Sequence, residues 1–330
     1  MHNYSPMDFL YASARIRALE AKLIGREQLL ALCSGTEDDV LSALAEAAGV
    51  SPAARGGELD PEDALLTVLK EGVAMVSASV PNPAITHFIE YPYDCHNIKV
   101  YLKCSILGID PTAFFIDAGS LPVKALLAAL QENNLAALPK ELAAATLAAK
   151  EAYAKTGDPR EIDFLLDRAL FADLLGQTSD FPFAKELVSA RADLTNLLIC
   201  LRLLRGNGKE TAAALFQKSM LPAGSLNEEF FLTGLGEGEC ALLALVAKTP
   251  YAAVANGADK CTLAEIEKRA DDYITARLKE VKRMPFGAEI PLAYLYALEG
   301  AVKNLRMILA GKKAGLAADA LLARVRESYV

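Results

Sequence analysis

Residues 94–97 read DCHN and residues 193–196 read DLTN, so an aspartate stands three positions before an asparagine in both segments. A leucine and a basic residue follow each asparagine at the same distance, at 102–103 and at 201–202. A third segment, KNLR at 303–306, keeps the asparagine but has alanine in place of the aspartate. This spacing indicates three copies of one unit, and an internal repeat determines the whole architecture.

Each copy is preceded by a helix-start signal. At 60–63 and 158–161 an aspartate is followed by proline and, at the fourth position, by an acidic residue, which caps a helix N-terminus and favours its dipole. At 262–265, TLAE is an ordinary capping box. The distances from each start to its asparagine are 37, 38 and 42 residues. We therefore predict four segments, with helical repeats 1, 2 and 3 at 60–157, 158–261 and 262–330 and N-terminal helices at 1–59.

Further along the chain from each asparagine, a glycine occurs in a recurring short sequence. AGSL occurs at 118–121 and again at 223–226, and AGL at 314–316, where we predict a helix-ending glycine before a new helix. Only 15 residues follow Gly315, so the third repeat is shortened. We expect the helix that opens with TEDD at 36–39 to complete it and to close a pseudo-threefold ring, because an end repeat cannot bury its apolar face alone.

The composition is typical of an all-α protein. Of the 330 residues 53% are hydrophobic and 7% aromatic, tryptophan is absent, and alanine and leucine dominate. This composition excludes disorder and collagen.

Near the N-terminus apolar residues recur at helical spacing and form one stripe, while Arg15, Arg17 and Glu20 lie off it. The members of the stripe are Phe9, Ala12, Ile16, Leu19 and Leu23.

The charge disfavours nucleic acid as a partner, because 42 acidic residues outnumber 34 basic ones and the net charge is −8. The segment from Thr262 to Val330 differs, with 12 Lys and Arg against 9 Asp and Glu. Within it we single out Lys279, Lys282 and Arg283 as a candidate interface with an acidic partner. The alternative is a solvated helical face of mixed charge.

The first residues lack the basic start and apolar stretch of a secretory signal, and no apolar stretch reaches the ~18 residues of a membrane span. We therefore expect a cytoplasmic protein whose membrane association is peripheral. The six cysteines include no C-x-x-C pair and are expected to be reduced and mostly buried.

The sequence predicts no catalytic, cofactor-binding or metal site. GNGKET at 206–211 resembles a phosphate loop but lacks its first glycine and the hydroxyl residue after the lysine, so we interpret it as a helix-ending loop. GLGEGE at 234–239 places acids where a pyrophosphate would sit and is interpreted as a flexible link. Of the three histidines, His96 alone has polar neighbours, and adjacent helical residues cannot easily chelate one metal.

The repeated asparagines, Asn97, Asn196 and Asn304, allow two interpretations. They could be interface residues that line a shared axis. The interpretation we favour is that each satisfies a backbone group in a neighbouring loop or helix end and thereby fixes the geometry of its repeat.

The chain as a whole resembles the C subunit of the prokaryotic V/A-type rotary ATPases, the family that includes the d subunit of the eukaryotic V-ATPase. The resemblance covers nearly the whole length and rests on the order and spacing of several strings. These are YASARIRALE at 11–20, YDCHNIK at 93–99, ADLTNL at 192–197, PLAYL at 291–295, KNLRMI at 303–308, the helix after Gly315 and the final YV at 329–330.

The resemblance implies an all-helical, funnel-shaped protein of three similar subdomains. It also implies a non-catalytic rotor component of the central stalk, on the cytoplasmic side of the membrane. Its partners would be the central shaft of the soluble ATPase sector and the membrane proteolipid ring, in a machine that transports H⁺ or Na⁺. Two alternatives remain open on the sequence: a cytosolic helical-repeat adaptor unrelated to the ATPase, and an enzyme whose deep polar pocket holds perturbed acids.

Overall fold

The computed structural model describes residues 4–47, 60–206 and 209–330, and this part of the chain contains helices and no strand. The all-α prediction is confirmed. The α-helices, α1 to α16 in chain order, are Leu10–Glu20, Arg26–Ser34, Glu37–Ala47, Pro61–Ser77, His87–Leu107, Val123–Gln131, Lys140–Thr156, Arg160–Gly176, Pro182–Gly206, Lys209–Ser219, Glu228–Glu237, Glu239–Val246, Ala252–Ala255, Leu263–Glu280, Glu289–Lys313 and Ala318–Leu322. Short 3₁₀ helices occur at Pro6–Phe9, Pro83–Thr86, Thr112–Phe114, Leu135–Ala137, Gln177–Asp180, Ala258–Lys260 and Val281–Arg283.

The predicted helix starts are confirmed by their capping bonds. The Asp60 carboxylate accepts a bond from the Glu62 N–H at 2.9 Å. At the second start Asp158 accepts from the Arg160 N–H at 3.0 Å, but α8 begins at Arg160 with Pro159 at the cap position, one residue later than predicted. Thr262 and Glu265 form the reciprocal capping box, in which each side chain accepts from the other's N–H, at 3.3 and 2.7 Å. These bonds satisfy amide groups that the first helical turn leaves without an intrahelical partner.

The chain divides into two compact units. Unit 1 comprises Met1–Thr86 and Asp271–Val330, and unit 2 comprises His87–Ala270. This division follows contacts in space and does not test where a sequence repeat begins. The repeat boundaries at 60, 158 and 262 therefore stay predictions.

In unit 1 the core is built around α15. This helix is buried along almost its whole length, from Ile290 to Gly311, and it contacts α1, α2, α3 and α4. A helix that is surrounded by other helices needs apolar residues on every side, which explains why its sequence lacks a polar face in the first half. Helix α16 packs on α2 and holds Leu321 in the interior.

In unit 2 the helices pack mainly as neighbours in sequence. Helix α8 contacts α7, α5 and α10, and α9 contacts α10 and α11. Large side chains such as Phe88, Phe216 and Phe231 are fully buried in this unit. Such close packing gives an interior that resists deformation.

Two sequence interpretations need correction. Gly119 and Gly224 do not end helices but lie in loops, and of the three glycines Gly315 alone lies at a helix end, with φ at +70°. The segment 234–239 is not a flexible link, because α11 continues through Glu237 and Gly234 is packed against Leu242. The helix-ending loop predicted at 206–211 includes residues 207–208, which lie outside the described residues, and α9 and α10 flank them.

A close helix contact in unit 1 yields a stability prediction. At Gly72 in α4 a Cβ atom would overlap the Leu298 side chain of α15, whereas at Gly300 in α15 it would meet open space. We expect Gly72→Ala to lower the free energy of unfolding by about 1–3 kcal/mol through overpacking. Gly300→Ala should raise the free energy of unfolding by up to about 1 kcal/mol, because alanine stabilises a helix interior more than glycine does. Chemical denaturation of both variants tests the pair, and equal shifts would contradict it.

Candidate interface and the repeated polar clamps

The three repeated asparagines share one hydrogen-bond arrangement. Each side-chain amide donates to the carbonyl of one loop residue and accepts from the N–H of that same residue. For Asn97 and Ile116 the two distances are 2.8 and 2.9 Å, and for Asn196 and Leu221 they are 3.1 and 2.8 Å. Asn304 bonds Arg326 in the same way at 3.3 and 3.1 Å.

These amides are buried, with exposed fractions of 0% for Asn97 and Asn196 and 1% for Asn304. A loop that passes over a helix leaves backbone groups that must find partners once water is excluded. One asparagine satisfies both groups of one residue, so it fixes both the position and the direction of the loop. We call each such pair an asparagine clamp.

The three clamps differ in the number of residues between the asparagine and its partner. The partner lies 19, 25 and 22 positions after the asparagine in the three copies. In the third copy that partner is Arg326, close to the C-terminus, and not the segment around Gly315 that the sequence comparison aligned with Gly119 and Gly224. Gly315 is therefore a helix-ending glycine, whose positive φ an L side chain would strain.

A second clamp exists in the first two copies only. The Asp94 carboxylate accepts bonds from the Ser120 N–H and hydroxyl at 3.1 and 2.5 Å. Asp193 accepts the equivalent bonds from Ser225 at 3.0 and 2.6 Å, and a further one from the Tyr251 hydroxyl at 2.8 Å. The third copy has Ala301 at the corresponding position and lacks this carboxylate.

The identical AGSL tetrapeptides are explained by this second clamp. A Cβ atom at Gly119 would overlap the Asp94 carboxylate, and one at Gly224 would overlap that of Asp193. Glycine therefore serves here for close approach of the backbone to a buried carboxylate, since its φ lies outside the left-handed region at both positions.

The candidate partner interface on unit 1 is partly engaged within the chain. Lys279 forms an ion pair with Glu327 at 3.1 Å, and the Lys282 ammonium lies 5.0 Å from the centre of the Tyr329 ring. Arg283 is exposed. Of the three cations, Lys282 and Arg283 thus present charge at the surface, while Lys279 holds the C-terminal segment.

That C-terminal segment, residues 325–330, is not helical and is tied down by several groups of unit 1. Arg326 forms an ion pair with Asp271, and the Glu327 N–H donates to Asp272 at 2.6 Å. The Ser328 hydroxyl donates to the Ile24 carbonyl at 2.8 Å, and Tyr329 is 3% exposed. The sequence offered little signal for this segment beyond its final aromatic residue.

A partly buried ionic group joins this segment to α1. Arg17 donates to both oxygens of Glu20, at 2.9 and 2.7 Å, and the Tyr329 hydroxyl donates to Glu20 at 2.8 Å. Burial and the nearby Glu20 carboxylate raise the pKa of Tyr329, so the phenol stays protonated and donates. Glu20 lies off the predicted apolar stripe and is nevertheless only 8% exposed, because pairing with Arg17 makes its burial tolerable. Phe9, Ala12 and Ile16 of the stripe are buried as predicted.

The described residues contain no group of three or more His, Cys, Asp or Glu side chains that could hold a metal ion. Burial raises the pKa of Cys95 to about 12, which leaves the thiol protonated and unreactive. A cleft of about 350 Å³ on unit 1, lined by residues such as Arg17, Leu23 and Lys282, is open to solvent.

Within the described ranges, no helix combines the length and the apolar character that a membrane crossing requires.

Comparison with known proteins identifies the family. The profile of the ATP synthase (C/AC39) subunit family matches residues 12–324. This chain belongs to that family. It is 23% identical to the C subunit of the V-type sodium ATPase of Enterococcus hirae, over 98% of this chain and 99% of the relative. It is 24% identical to the C subunit of the A-type ATP synthase of Pyrococcus furiosus, over 93% of this chain and 86% of the relative.

The resemblance inferred from the sequence is therefore confirmed, and the chain is not an adaptor unrelated to these ATPases. The sequence pattern located the asparagines that form the clamps. It did not reveal that Asp94 and Asp193 bond the AGSL loops, although the shared distance from aspartate to asparagine was the available signal.

Removal of a clamp gives a second stability prediction. Asn196→Ala leaves the N–H and carbonyl of Leu221 buried without their partner, so we expect a loss of about 2–4 kcal/mol in the free energy of unfolding. Asn304→Ala should cost less, because its bonds are longer and partly accessible to water. Urea denaturation measures both, with the exposed Gln131→Ala as the control. A loss at Asn196 no greater than that of the control would contradict the clamp.

Asp94 provides a prediction about pH. Burial raises the pKa of this carboxyl, against the opposing bonds from Ser120, so the folded protein binds the proton at a higher pH than the unfolded chain. Its contribution to stability should therefore improve as the pH falls from about 7 towards 4. We expect the stability difference between the natural protein and Asp94→Asn to shift in favour of the natural protein over this range.

Asp39 serves as a control of opposite sign. Bonds from the Thr36 N–H and hydroxyl lower the pKa of its carboxyl, so its contribution to stability is lost as the pH falls through the folded pKa. The advantage of the natural protein over Asp39→Asn should shrink on acidification. Denaturation curves at several pH values give both differences, and a common sign would refute the assignment.

Proposed function

We propose that this chain is a non-catalytic central-stalk component of a V/A-type ATPase. It couples the rotating shaft of the soluble ATPase sector to the proteolipid ring of the membrane sector, and it lies on the cytoplasmic side as a peripheral component. Membership of the ATP synthase (C/AC39) subunit family supports this role, as do two relatives that are named as C subunits of a V-type ATPase and an A-type ATP synthase. The transported ion is H⁺ or Na⁺, and its ligands belong to other components of the machine.

The observation that carries the mechanical part of this proposal is the threefold recurrence of the asparagine clamp. A part that transmits torque must resist shear, and a loop fixed at both backbone groups of one residue cannot slide over its helix without breaking two buried hydrogen bonds. The same device in three places supports a body of three similar subdomains. We propose that residues 60–157, 158–261 and 262–330 form these subdomains in a pseudo-threefold funnel.

The grouping of contacts also supports the role proposed for the N-terminal segment. Unit 1 joins Met1–Thr86 to Asp271–Val330, so that helices from 1–59 and from the third repeat share one core. Residues 48–59 of that segment lie outside the described residues. We propose that the described helices of residues 1–59 supply the part that the shortened third repeat lacks.

The basic segment supports one docking contact of the proposed assembly. Lys282 and Arg283 lie exposed at the end of the 3₁₀ helix Val281–Arg283, which α1 supports through bonds from Arg17 to the carbonyls of Val281 and Met284 at 2.7 and 3.0 Å. Cations held on a fixed backbone suit recognition of an acidic surface on a partner. We propose that this segment contacts one of the two partner assemblies.

The assembly prediction is tested by affinity purification of a tagged copy from gently solubilised membranes of the native cell. Recovery of the nucleotide-binding ATPase subunits together with the small proteolipid is the expected result. Recovery from the soluble fraction alone, without either partner, would refute the stalk assignment.

A charge reversal tests the interface itself. Lys282→Glu combined with Arg283→Glu should lower recovery of the complex several-fold, with the loss largest at low salt, because exposed charges are screened. Lys279 is kept, since its reversal would place a carboxylate against Glu327 and disturb the fold. Lys124→Glu, an exposed lysine in unit 2, is the matched control. Unchanged recovery in the double variant would remove this segment from the interface.

A further inference from the structure

The N-terminal helical segment, from Pro6 to Glu20, exposes large apolar side chains. The exposed fractions are 59% for Met7, 48% for Leu10 and 66% for Tyr11. Its opposite face packs into unit 1 through Phe9, Ala12 and Ile16. A helix on a protein surface usually turns a polar face to water, so this segment has an apolar face that the described residues of unit 1 leave uncovered.

The uncovered face has the spacing of a helix-pairing seam. Met7, Tyr11, Ala14, Ala18 and Ala21 are separated by steps of four, three, four and three, and the structure gives all five as exposed. Positions with this alternation meet a second helix along a continuous line. The three alanines leave room for close approach of a helix backbone, while Met7 and Tyr11 provide apolar area at one end. The seam is therefore suited to another helix.

Cations border the seam on both sides. Arg15 and Lys22 are exposed and stand seven residues apart on one side. On the other side lies the 281–284 segment, whose carbonyls accept the bonds from Arg17 and which carries Lys282 and Arg283. Met284 of that segment is 41% exposed and extends the apolar surface. The nearby Glu20 is buried and paired. The exposed Asp8, seven residues before Arg15, accepts a bond from the Ser5 N–H and offsets one of these charges, so the two rims together carry more positive than negative charge.

We propose that this surface binds an amphipathic helix of a partner protein whose apolar stripe is flanked by acidic residues. Apolar contacts along the seam would provide the contact area, and the two cationic rims would select for acidic flanks and fix the register. Such binding depends only on the surface of this chain and holds whether or not the rotor assignment is correct.

Two other occupants fit less well. A second copy that pairs through this face would bring Arg15 and Lys22 close to the same cations of its twin, which repel each other. A lipid surface favours bulky apolar side chains along the whole face, whereas more than half of this seam is alanine. A helix with acidic flanks satisfies both the narrow seam and the positive rims.

The test uses the purified full-length chain and a synthetic helical peptide of about three heptads, with Leu and Ala at the seam positions and Glu at the flanking ones. A second peptide carries Lys in place of each Glu. Fluorescence anisotropy should show saturable binding of the Glu peptide, weakened by salt, and at least about tenfold weaker binding of the Lys peptide. Equal affinity for the two peptides, or no binding of either, would overturn the proposal.

Substitutions locate the site. Ala14→Glu places a bulky acid in the seam and should weaken binding of the Glu peptide at least about tenfold, and Lys22→Glu should weaken it less and reduce its salt dependence. The matched control is Ala148→Glu, at an exposed alanine of α7. Circular dichroism confirms that each variant is folded. A loss that is equal in the control, or absent in Ala14→Glu, would overturn the site.

A photoreactive amino acid in place of Tyr11 identifies the occupant directly. In the presence of the Glu peptide, we expect a crosslink to that peptide. In its absence, a crosslink to a second copy or to residues 48–59 of the same chain would show that another segment covers the seam, and would overturn the proposal.

Discussion

The buried amide of a repeated asparagine, bonded to both backbone groups of one loop residue, is the constraint on which the rest of this fold depends. In each clamp a loop residue packs against the helix that carries the asparagine, and this contact removes water from backbone groups that still need partners. The clamps at Asn97, Asn196 and Asn304 meet that need with one side chain each. Two bonds to one residue also prevent rotation of the loop about a single contact, so each clamp fixes its loop against the helix.

The clamp recurs at all three asparagines, although the segment between each asparagine and its partner varies in length. The segments between asparagine and partner differ in length, and two of them contain a further α-helix, yet each returns to the same pair of bonds. Loop length costs little free energy, whereas an unpaired buried amide costs much more. The aspartate clamps add a second anchor in the first two copies, with a glycine where a Cβ atom would overlap the carboxylate. The third copy lacks this anchor, and its C-terminal segment is instead held by ion pairs and by the group of Arg17, Glu20 and Tyr329.

The mechanical role that we propose requires a rigid interior and surfaces for partners, and the buried clamps support the first requirement. Buried polar side chains such as Asp94, Asn97, Asp193 and Asn196 hold loops, and the thiol of Cys95 is protonated and enclosed. The two surfaces for which we propose partners are the cationic segment around Lys282 and Arg283 and the apolar seam of the N-terminal helix. The two surfaces adjoin, because Arg17 bonds the backbone of the cationic segment from α1.

The sequence by itself determined the helical class, the helix starts and the three repeated asparagines. These features depend on local chemistry, since a cap bonds within its own first turn and an apolar stripe follows from the helical period. The family also followed from the sequence, because order and spacing persist where identity is low. Only the tertiary structure decided that Asn304 pairs with Arg326 and not near Gly315, that Gly119 and Gly224 admit a carboxylate, and that Glu20 is buried. Each of these depends on which distant backbone reaches the side chain, and the position of a distant segment is set by packing of whole helices and not by the residues beside it in the chain.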